Sequence, residues 1–398
     1  MLTSEFLPVR GGVGNYVLQV SKRMPSDIEI HLIAPNAVGA QTPDSRNELR
    51  ALPDNVHVHL LGSSKNSFLD KLAFQIECLR VVPKMVKDFG IDIIHSQSEM
   101  PDLLISPEKV GAPIVTTIHT TVEGHIRAIR ATGSSFGELN SSEKITMLAS
   151  PFLVWAENRY YRGRSYFLTV SNWARRQMSE EKAIDSRRIR VVYIGVDRDL
   201  FNPSKRITAP EHFSELADVK APKVLFFSRL ATRKGLGLLM KAIPRITQKV
   251  DAHFVLAGSG RSSLFDVPHK DCTLLGYVHP NEVPYLYASS DVFILPSLYE
   301  NFPASILEAM ATQCAVISSD VGGVAEMVVN GRNGITIPPG DVDSIVDSVT
   351  RLVGDERFRD ELGKSGRETV EERFRWEETA LQTADYYREV CKDYASKG

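Results

Sequence analysis

Residues Pro296 to Glu326 read PSLYENFPASILEAMATQCAVISSDVGGVAE. Just before them, Asp291-Val-Phe-Ile-Leu-Pro is an apolar strand pattern, which places Glu300 in the loop at its carboxyl end. Pro303 suits the first turn of a helix, where its missing N–H costs nothing, and Glu308 then lies a turn or more inside. Were 301–310 all helix, the two carboxylates would stand about 80° apart, so they are read as doing different jobs. An open α/β sheet binds ligands at such strand ends, and a helix start offers free N–H groups to phosphate. On spacing alone, a strand, a turn and an amphipathic helix with two solvated acids is an equal reading.

Outward from this stretch, short β-branched runs alternate with helical patterns, which predicts parallel sheets with crossover helices. First-half strands are expected at 28–33, 56–60, 91–95, 113–119, 166–170 and 189–193, with helices at 14–24, 67–82, 141–162 and 172–182. Second-half strands are expected at 223–228, 253–257, 273–275, 291–295, 315–318 and 334–337. Helices fill 236–249, 281–288, 303–312, 342–353 and 356–373, and a final one starts at Trp376. A chain of 398 residues is long for one core, which points to two domains. The polar stretch Phe201–Pro222, with Pro203, Pro210 and Pro222, is the expected linker.

Composition narrows the class. Hydrophobic residues at 43% and charged residues at 24% are ordinary for a globular protein. A net charge of -2 argues against general nucleic-acid binding. The four cysteines, Cys78, Cys272, Cys314 and Cys391, form no Cys-x-x-Cys pair, which fits a reducing compartment and excludes a conventional cysteine zinc site. No apolar run approaches bilayer length, and Met-Leu-Thr-Ser-Glu-Phe-Leu-Pro lacks the regions of a signal peptide. A cytoplasmic protein is expected. From His125 to Arg190, twelve Lys and Arg stand against six Asp and Glu, interleaved with Trp155, Tyr160, Tyr161 and Trp173. This reads either as a solvated face with aromatics turned inward, or as a patch for anionic lipid on the inner face of a membrane or for a polyanionic acceptor.

The opening stretch resembles the Glu-x7-Glu motif of retaining GT-B glycosyltransferases, in particular glycosyltransferase family 4 (glycosyl transferases group 1). Phe226-Phe-Ser-Arg-Leu-Ala-Thr-Arg-Lys-Gly235 is similar to its Arg-Leu-x3-Lys-Gly segment. Leu274-Leu-Gly-Tyr-Val278, Ala288–Pro296, Gly322-Gly323, Glu326 and Asn330-Gly-Arg-Asn-Gly334 fit the family in order, and Pro8-Val-Arg-Gly-Gly-Val-Gly14 resembles its glycine loop. The resemblance implies an α/β GT-B fold: two Rossmann-like domains with parallel sheets facing across a cleft. It implies an acceptor-side domain over 1–200, a linker over 201–222 and a nucleotide-sugar domain over 223–375. The helix over 376–398 would cross back to the first domain. One departure is that only Met1 to Glu5 precedes the glycine loop, so a weakened first strand is expected.

Transfer from a nucleotide sugar builds negative charge on the leaving phosphate, and fixed positive charge there lowers the barrier. The resemblance assigns that grip to Arg229 and Lys234, a planar fork and a point charge. It assigns Glu308 to the ribose hydroxyls, Glu300 to the donor sugar and His119, at a strand end, to donor-sugar contact and transition-state polarisation. Asn301 stands where the family has glycine; asparagine tolerates unusual backbone angles. The N–H groups of Phe302, Ala304 and Ser305 are candidate sugar or phosphate contacts, and Pro303 has none to give. Gly11, Gly12 and Gly14 allow close backbone approach to a ligand, without the spacing for a dinucleotide cofactor. Gly276, Tyr277 and Val278 would border the nucleobase. The Asp197-Arg-Asp199 and Asp341-Val-Asp343 pairs are read as structural, the second as a helix cap, so neither a metal nor a cofactor is expected. The implied reaction is metal-independent hexosyl transfer from a UDP- or GDP-sugar to a lipid-linked or saccharide acceptor. The alternatives are a nucleotide-sugar epimerase on the same scaffold, or a module that binds nucleotide sugars without turnover.

Overall fold

The computed structural model describes residues 1–7, 11–37, 42–64, 68–98, 101–133, 141–208, 213, 216, 218–260 and 271–397. These fall into two compact units, Met1–Glu123 with Thr146–Ile194 and Trp376–Gly398, and Gly124–Ile145 with Gly195–Arg375.

In the first unit, β1 (Ile30–Ala37) pairs with β2 (Val56–Ser64), and β3 (Ile94–Ser96), β4 (Ile114–Ile118), β5 (Tyr166–Thr169) and β6 (Ile189–Val191) pair in that order, all parallel. The two sections meet at Leu2, which bridges to Ile33 on one side and Ser96 on the other. The weakened first strand is therefore a single bridged residue. Its backbone bonds are Leu2 N–H to the His95 carbonyl at 2.7 Å and, from the next residue, Thr3 N–H to the Ile33 carbonyl at 3.1 Å.

Helices α1 (Gly12–Arg23), α2 (Pro43–Arg50), α3 (Phe68–Phe89), α4 (Pro107–Val110), α5 (Val122–Ala131), α6 (Ser141–Arg162) and α7 (Asn172–Glu181) connect the strands, with most of α5 and the first residues of α6, to Ile145, counted in the second unit. The expected end of α3 before Pro83 is wrong, for the helix runs through it to Phe89. A proline costs one backbone bond and strains the turn before it, but Val82 and Met85 are buried with Phe74, Cys78 and Ile94, and that packing holds the helix. The C-terminal helix, Trp376–Ala395, belongs to this unit. Its Trp376 ring meets Tyr16 of α1 edge-on at 6.0 Å, and Tyr386 and Val390 share a core with Val115, Leu168 and Val192.

The second unit has one parallel six-stranded sheet: β7 (Lys223–Phe227), β8 (His253–Ala257), β9 (Cys272–Gly276), β10 (Val292–Leu295), β11 (Ala315–Ser319) and β12 (Ile335–Ile337). The spatial order is β9-β8-β7-β10-β11-β12. Strands reading KVLFF, VFIL and AVISS are apolar nearly throughout because helices cover both faces. Those helices are α8 (Leu236–Thr247), α9 (Val283–Ala288), α10 (Ala304–Ala311), α11 (Val342–Gly354) and α12 (Glu356–Arg373). Phe226, Leu239, Ile246, Phe254, Ile294, Ile317 and Val349 are wholly buried in this core, each worth about 1.5–3 kcal/mol. Of the stretch read as a linker, Pro203–Thr208 is a 3₁₀ turn of this unit, and Arg206 pairs with Asp291 at 2.9 Å.

The basic run of 125–190 divides. Arg164 is buried against Asp102, with 2.9 Å from Nη2 to Oδ2 and the Tyr160 hydroxyl donating to the same carboxylate. Lys182 is buried against Glu157 at 2.6 Å. Arg187 pairs with Asp185, and Arg190 with Glu389. Arg159, Arg162 and Arg176 stay exposed.

Candidate active site

Strand order in the second unit reverses between β7 and β10, the point where an open parallel sheet leaves a crevice at its carboxyl edge. The chain leaves β7 through Arg229 into a 3₁₀ turn, Thr232–Lys234, that ends at Gly235. It leaves β10 through Pro296 and Ser297 toward Glu300. The loops are stitched together by backbone. Leu298 N–H donates to the Arg233 carbonyl at 2.9 Å, and Gly323 N–H to the Asn301 carbonyl at 2.7 Å. Two glycines allow this approach. A Cβ on Gly235, at φ 78°, would lie 1.8 Å from the Pro296 carbonyl oxygen, and one on Gly322, at φ 62°, 1.8 Å from that of Glu300.

Charge converges in this crevice. Lys234 Nζ lies 2.5 Å from Glu300 Oε1, and the buried Ser297 hydroxyl donates to the same oxygen at 2.7 Å. Arg233 is partly buried, and desolvation, then the neighbouring Arg229 charge, hold its pKa below the usual arginine range. Arg229 itself is exposed and forms no ion pair among the described residues. Lys234 and Arg233 thus act on the buried Glu300 carboxylate, Arg229 lies near Arg233, and Glu143 is a second acid near Arg233, which leaves three cations against two acids, an excess of positive charge suited to an anion.

The segment after Glu300 differs in part from expectation. The helix α10 starts at Ala304, so Glu300 and Asn301 precede it and the 80° relation does not arise. Asn301 has a negative φ, since the non-glycine residues with positive φ among those described are Ala183 and Gln313. No left-handed backbone is needed at Asn301, so its tolerance for one is not why it fits. Phe302 and Pro303 are buried, and Pro303 is the N-cap without a side-chain cap bond. The first-turn N–H groups of Ala304 and Ser305 thus have no partner within the helix.

Glu308 sits one turn in. Some of its surface is exposed, yet desolvation raises its carboxyl pKa to about 7. The Tyr287 hydroxyl approaches without a well-aligned hydrogen bond. Between pH 4.5, the ordinary value, and about 7, the folded protein keeps a proton that the unfolded chain has lost. Stability therefore falls as pH rises through that window and levels off above it. Glu308→Gln should remove this slope, about 2 kcal/mol after allowance for partial exposure. Chemical denaturation of both proteins from pH 4.5 to 8 checks it, and parallel curves would contradict the assignment.

Gly276, Tyr277 and Val278 stand at the carboxyl end of β9, the edge strand. Gly276 has φ 65° and its carbonyl accepts from Gly258 N–H at 2.6 Å, Tyr277 is exposed and Val278 is buried. In the first unit, Gly11 is the N-cap of α1, which has no side-chain cap bond. Gly12 has open space where a Cβ would point, while at Gly14 it would lie 3.2 Å from the Phe6 carbonyl oxygen. Pro8, Val9 and Arg10 of the glycine loop lie outside the described residues. His119 directly follows β4 and packs edge-on against Tyr16 of α1, with centroids 5.1 Å apart. Its Nε2 lies 3.3 Å from Gln97 Oε1. Burial lowers its pKa to about 4, so it is a neutral imidazole at pH 7. Its one N–H then sits on Nε2, donating to Gln97, and Nδ1 is an acceptor.

Asp341 caps α11 by accepting from the N–H groups of Asp343 and Ser344, and Asp197 accepts from Leu200 N–H. The sequence reading missed Arg233 and Ser297, and the contacts of Gly235 and Gly322. Arg233 is adjacent to a residue already singled out and could have been found. Ser297 could not, because its bond to Glu300 depends on how the loop folds back.

The family description "Glycosyltransferase Family 4" matches residues 10–200, and "Glycosyl transferases group 1" matches residues 221–355. An uncharacterized glycosyltransferase of Methanocaldococcus jannaschii is 29% identical over 77% of this chain and 78% of its own. Alpha-maltose-1-phosphate synthase of Mycolicibacterium smegmatis is 25% identical over 98% of both. The solved structure of Anabaena HepE in complex with UDP-glucose superposes with a TM-score of 0.72 at 18% identity, covering 98% of this chain and 99% of that one. The chain belongs to glycosyltransferase family 4, has the GT-B fold and is a glycosyltransferase.

Proposed function

We propose that the protein transfers a hexosyl unit, with retention, from a UDP- or GDP-sugar to a lipid-linked or saccharide acceptor. The observation that carries this is the convergence of Arg229, Arg233 and Lys234 on the crevice where β7 and β10 diverge. A diphosphate neutralises that excess charge. Its departure is the step that needs it, since fixed cations stabilise charge as it develops. The UDP-glucose bound by the structural neighbour and the sugar-phosphate chemistry named for the mycobacterial relative support a nucleotide-sugar donor.

In the proposed reaction the acceptor hydroxyl oxygen bonds to the anomeric carbon on the face that the diphosphate leaves. The carbon–oxygen bond to the β-phosphate breaks, its electron pair stays on the phosphate oxygen, and the acceptor proton passes to that oxygen. Arg229 and Lys234 hold the diphosphate, with Arg233 behind them. Glu308 accepts from the ribose hydroxyls, Glu300 orients the sugar, and neutral His119 contacts it through Nδ1, the acceptor nitrogen. The first-turn N–H groups of α10 and the glycines before α1 add backbone donors, and Gly276, Tyr277 and Val278 border the base. The side-chain cations take the electrostatic role of a metal ion. The proposed setting is the cytoplasm, with peripheral contact on an anionic membrane. Among the described residues no helix is long and apolar enough to cross one.

The test is incubation with UDP-glucose and GDP-mannose in excess EDTA, reading nucleoside diphosphate release and the anomeric configuration of the product by NMR. Release with a retained configuration is expected from one donor. An epimerised nucleotide sugar without acceptor, or binding without product, would replace the proposal. So would unchanged turnover in an Arg229→Ala, Lys234→Ala double variant.

A further inference from the structure

Helix α6 carries an apolar stripe turned to solvent. Ile145, Leu148, Phe152 and Trp155 are 55%, 74%, 65% and 59% exposed, and the Phe152 and Trp155 rings stack with centroids 5.8 Å apart. Their spacing of three, four and three residues continues to Arg159 and Arg162, both exposed. At about 100° per residue these six positions and Lys144 fall within an arc of about 100°, and the row from Ile145 to Arg162 is roughly 25 Å long. No acidic residue shares that arc. Glu143 and Glu157 point to other sides, and Glu157 is buried against Lys182. The inward face is secured by Tyr160, Tyr161 and Glu157.

Single exposed apolar residues are ordinary, but four large ones in a row form a contiguous patch that calls for a partner. We propose that this face of α6 lies in the interface of an anionic bilayer, with Leu148, Phe152 and Trp155 inserted among the acyl chains and Lys144, Arg159 and Arg162 on the headgroups. A helix with an apolar stripe and cations on its rim has the form of an in-plane membrane anchor. Charge selects this occupant over a second copy of the chain. Pairing two such faces would set arginines and lysines against apolar or basic side chains, with no carboxylate to answer them. The proposal also narrows the basic stretch of 159–190. Arg164, Arg187 and Arg190 are engaged with acids, and of the cations that stay exposed Arg159 and Arg162 are the ones on the helix that carries the apolar stripe. The inference rests on the reading of a peripheral enzyme and requires nothing of the donor chemistry.

The test uses the full chain, without nucleotide, and vesicles of phosphatidylcholine with or without 30% phosphatidylglycerol. The wild type should co-sediment with the anionic vesicles, with Trp155 fluorescence quenched by brominated acyl chains. Leu148→Glu with Trp155→Glu should reduce partitioning at least ~10-fold, and Arg159→Glu with Arg162→Glu should remove the preference for anionic lipid. Each variant is paired with a thermal unfolding scan, since exposed substitutions should leave the fold intact. Failure of the folded wild type to bind anionic vesicles, or equal binding by the Leu148→Glu, Trp155→Glu variant, overturns the proposal. So does a solution dimer that this variant dissociates, which would make the stripe a contact between copies. Donor turnover in solution, read separately, tests the glycosyltransfer reading.

Discussion

Lys234→Ala should lower donor turnover by about a thousandfold, the scale seen when one charge-stabilising donor is removed from an active site. Lys234 lies against Glu300, and both are largely buried. Without Lys234, the Glu300 carboxylate keeps the Ser297 hydroxyl and loses its ion-paired ammonium, with the Arg233 charge left nearby. A buried charge left without its partner costs about 3 kcal/mol or more, so urea denaturation should show a loss of stability together with the loss of turnover. A Lys234→Met, Glu300→Gln double variant separates the two effects. It should recover much of the stability, because the unpaired charge is gone, while turnover stays low. If Lys234→Ala keeps turnover within threefold of the wild type, the cationic crevice does not hold the leaving group. Lys234→Arg should rescue poorly, because a longer planar fork does not fit the place of a compact ammonium group.

The second large effect belongs to a residue with no functional group. Gly322 has φ 62°, and a Cβ there would lie 1.8 Å from the Glu300 carbonyl oxygen. Backbone faces backbone, so no rotamer change relieves the overlap and the Glu300 loop must move. Gly322→Ala should destabilise the protein by about 3 kcal/mol or more, combining left-handed strain with the clash. It should also cut turnover at least a hundredfold, since displacements near 1 Å at a reacting centre carry penalties of that order. Gly331 is the control. Its φ is 75°, but a Cβ there would meet nothing within 4 Å. Gly331→Ala should cost only the strain, about 1–2 kcal/mol, with turnover unchanged. Equal effects at both positions would mean that conformation matters at Gly322 and the contact with Glu300 does not.

Much of this architecture is legible in the order of residues. The parallel strands of the second unit are runs such as KVLFF and VFIL that are apolar on both faces, and such runs need no knowledge of their neighbours to be recognised. Helices α6 and α12 keep the boundaries expected of them, Ser141–Arg162 and Glu356–Arg373. Periodicity, caps and proline positions are local properties of the chain. The extension of α3 through Pro83 shows where local rules fail, because side chains packing from elsewhere outweigh one missing backbone bond.

Charge was the least legible property. Twelve basic residues between His125 and Arg190 look like a surface patch in the sequence. Yet Arg164 spends its charge on Asp102, 62 residues away, and Arg190 meets Glu389, 199 residues away. Among the residues that remain exposed, the apolar stripe of α6 stands out only once its inward face is known. Similarly, Glu300 and Lys234 can be named from their motifs, but their 2.5 Å pairing arises because two strands distant in sequence lie side by side. Strands, helices and motif positions follow from interactions between near neighbours along the chain. Which charges cancel, which glycines are irreplaceable and which faces stay open follow from contacts between segments that meet only when the chain has folded.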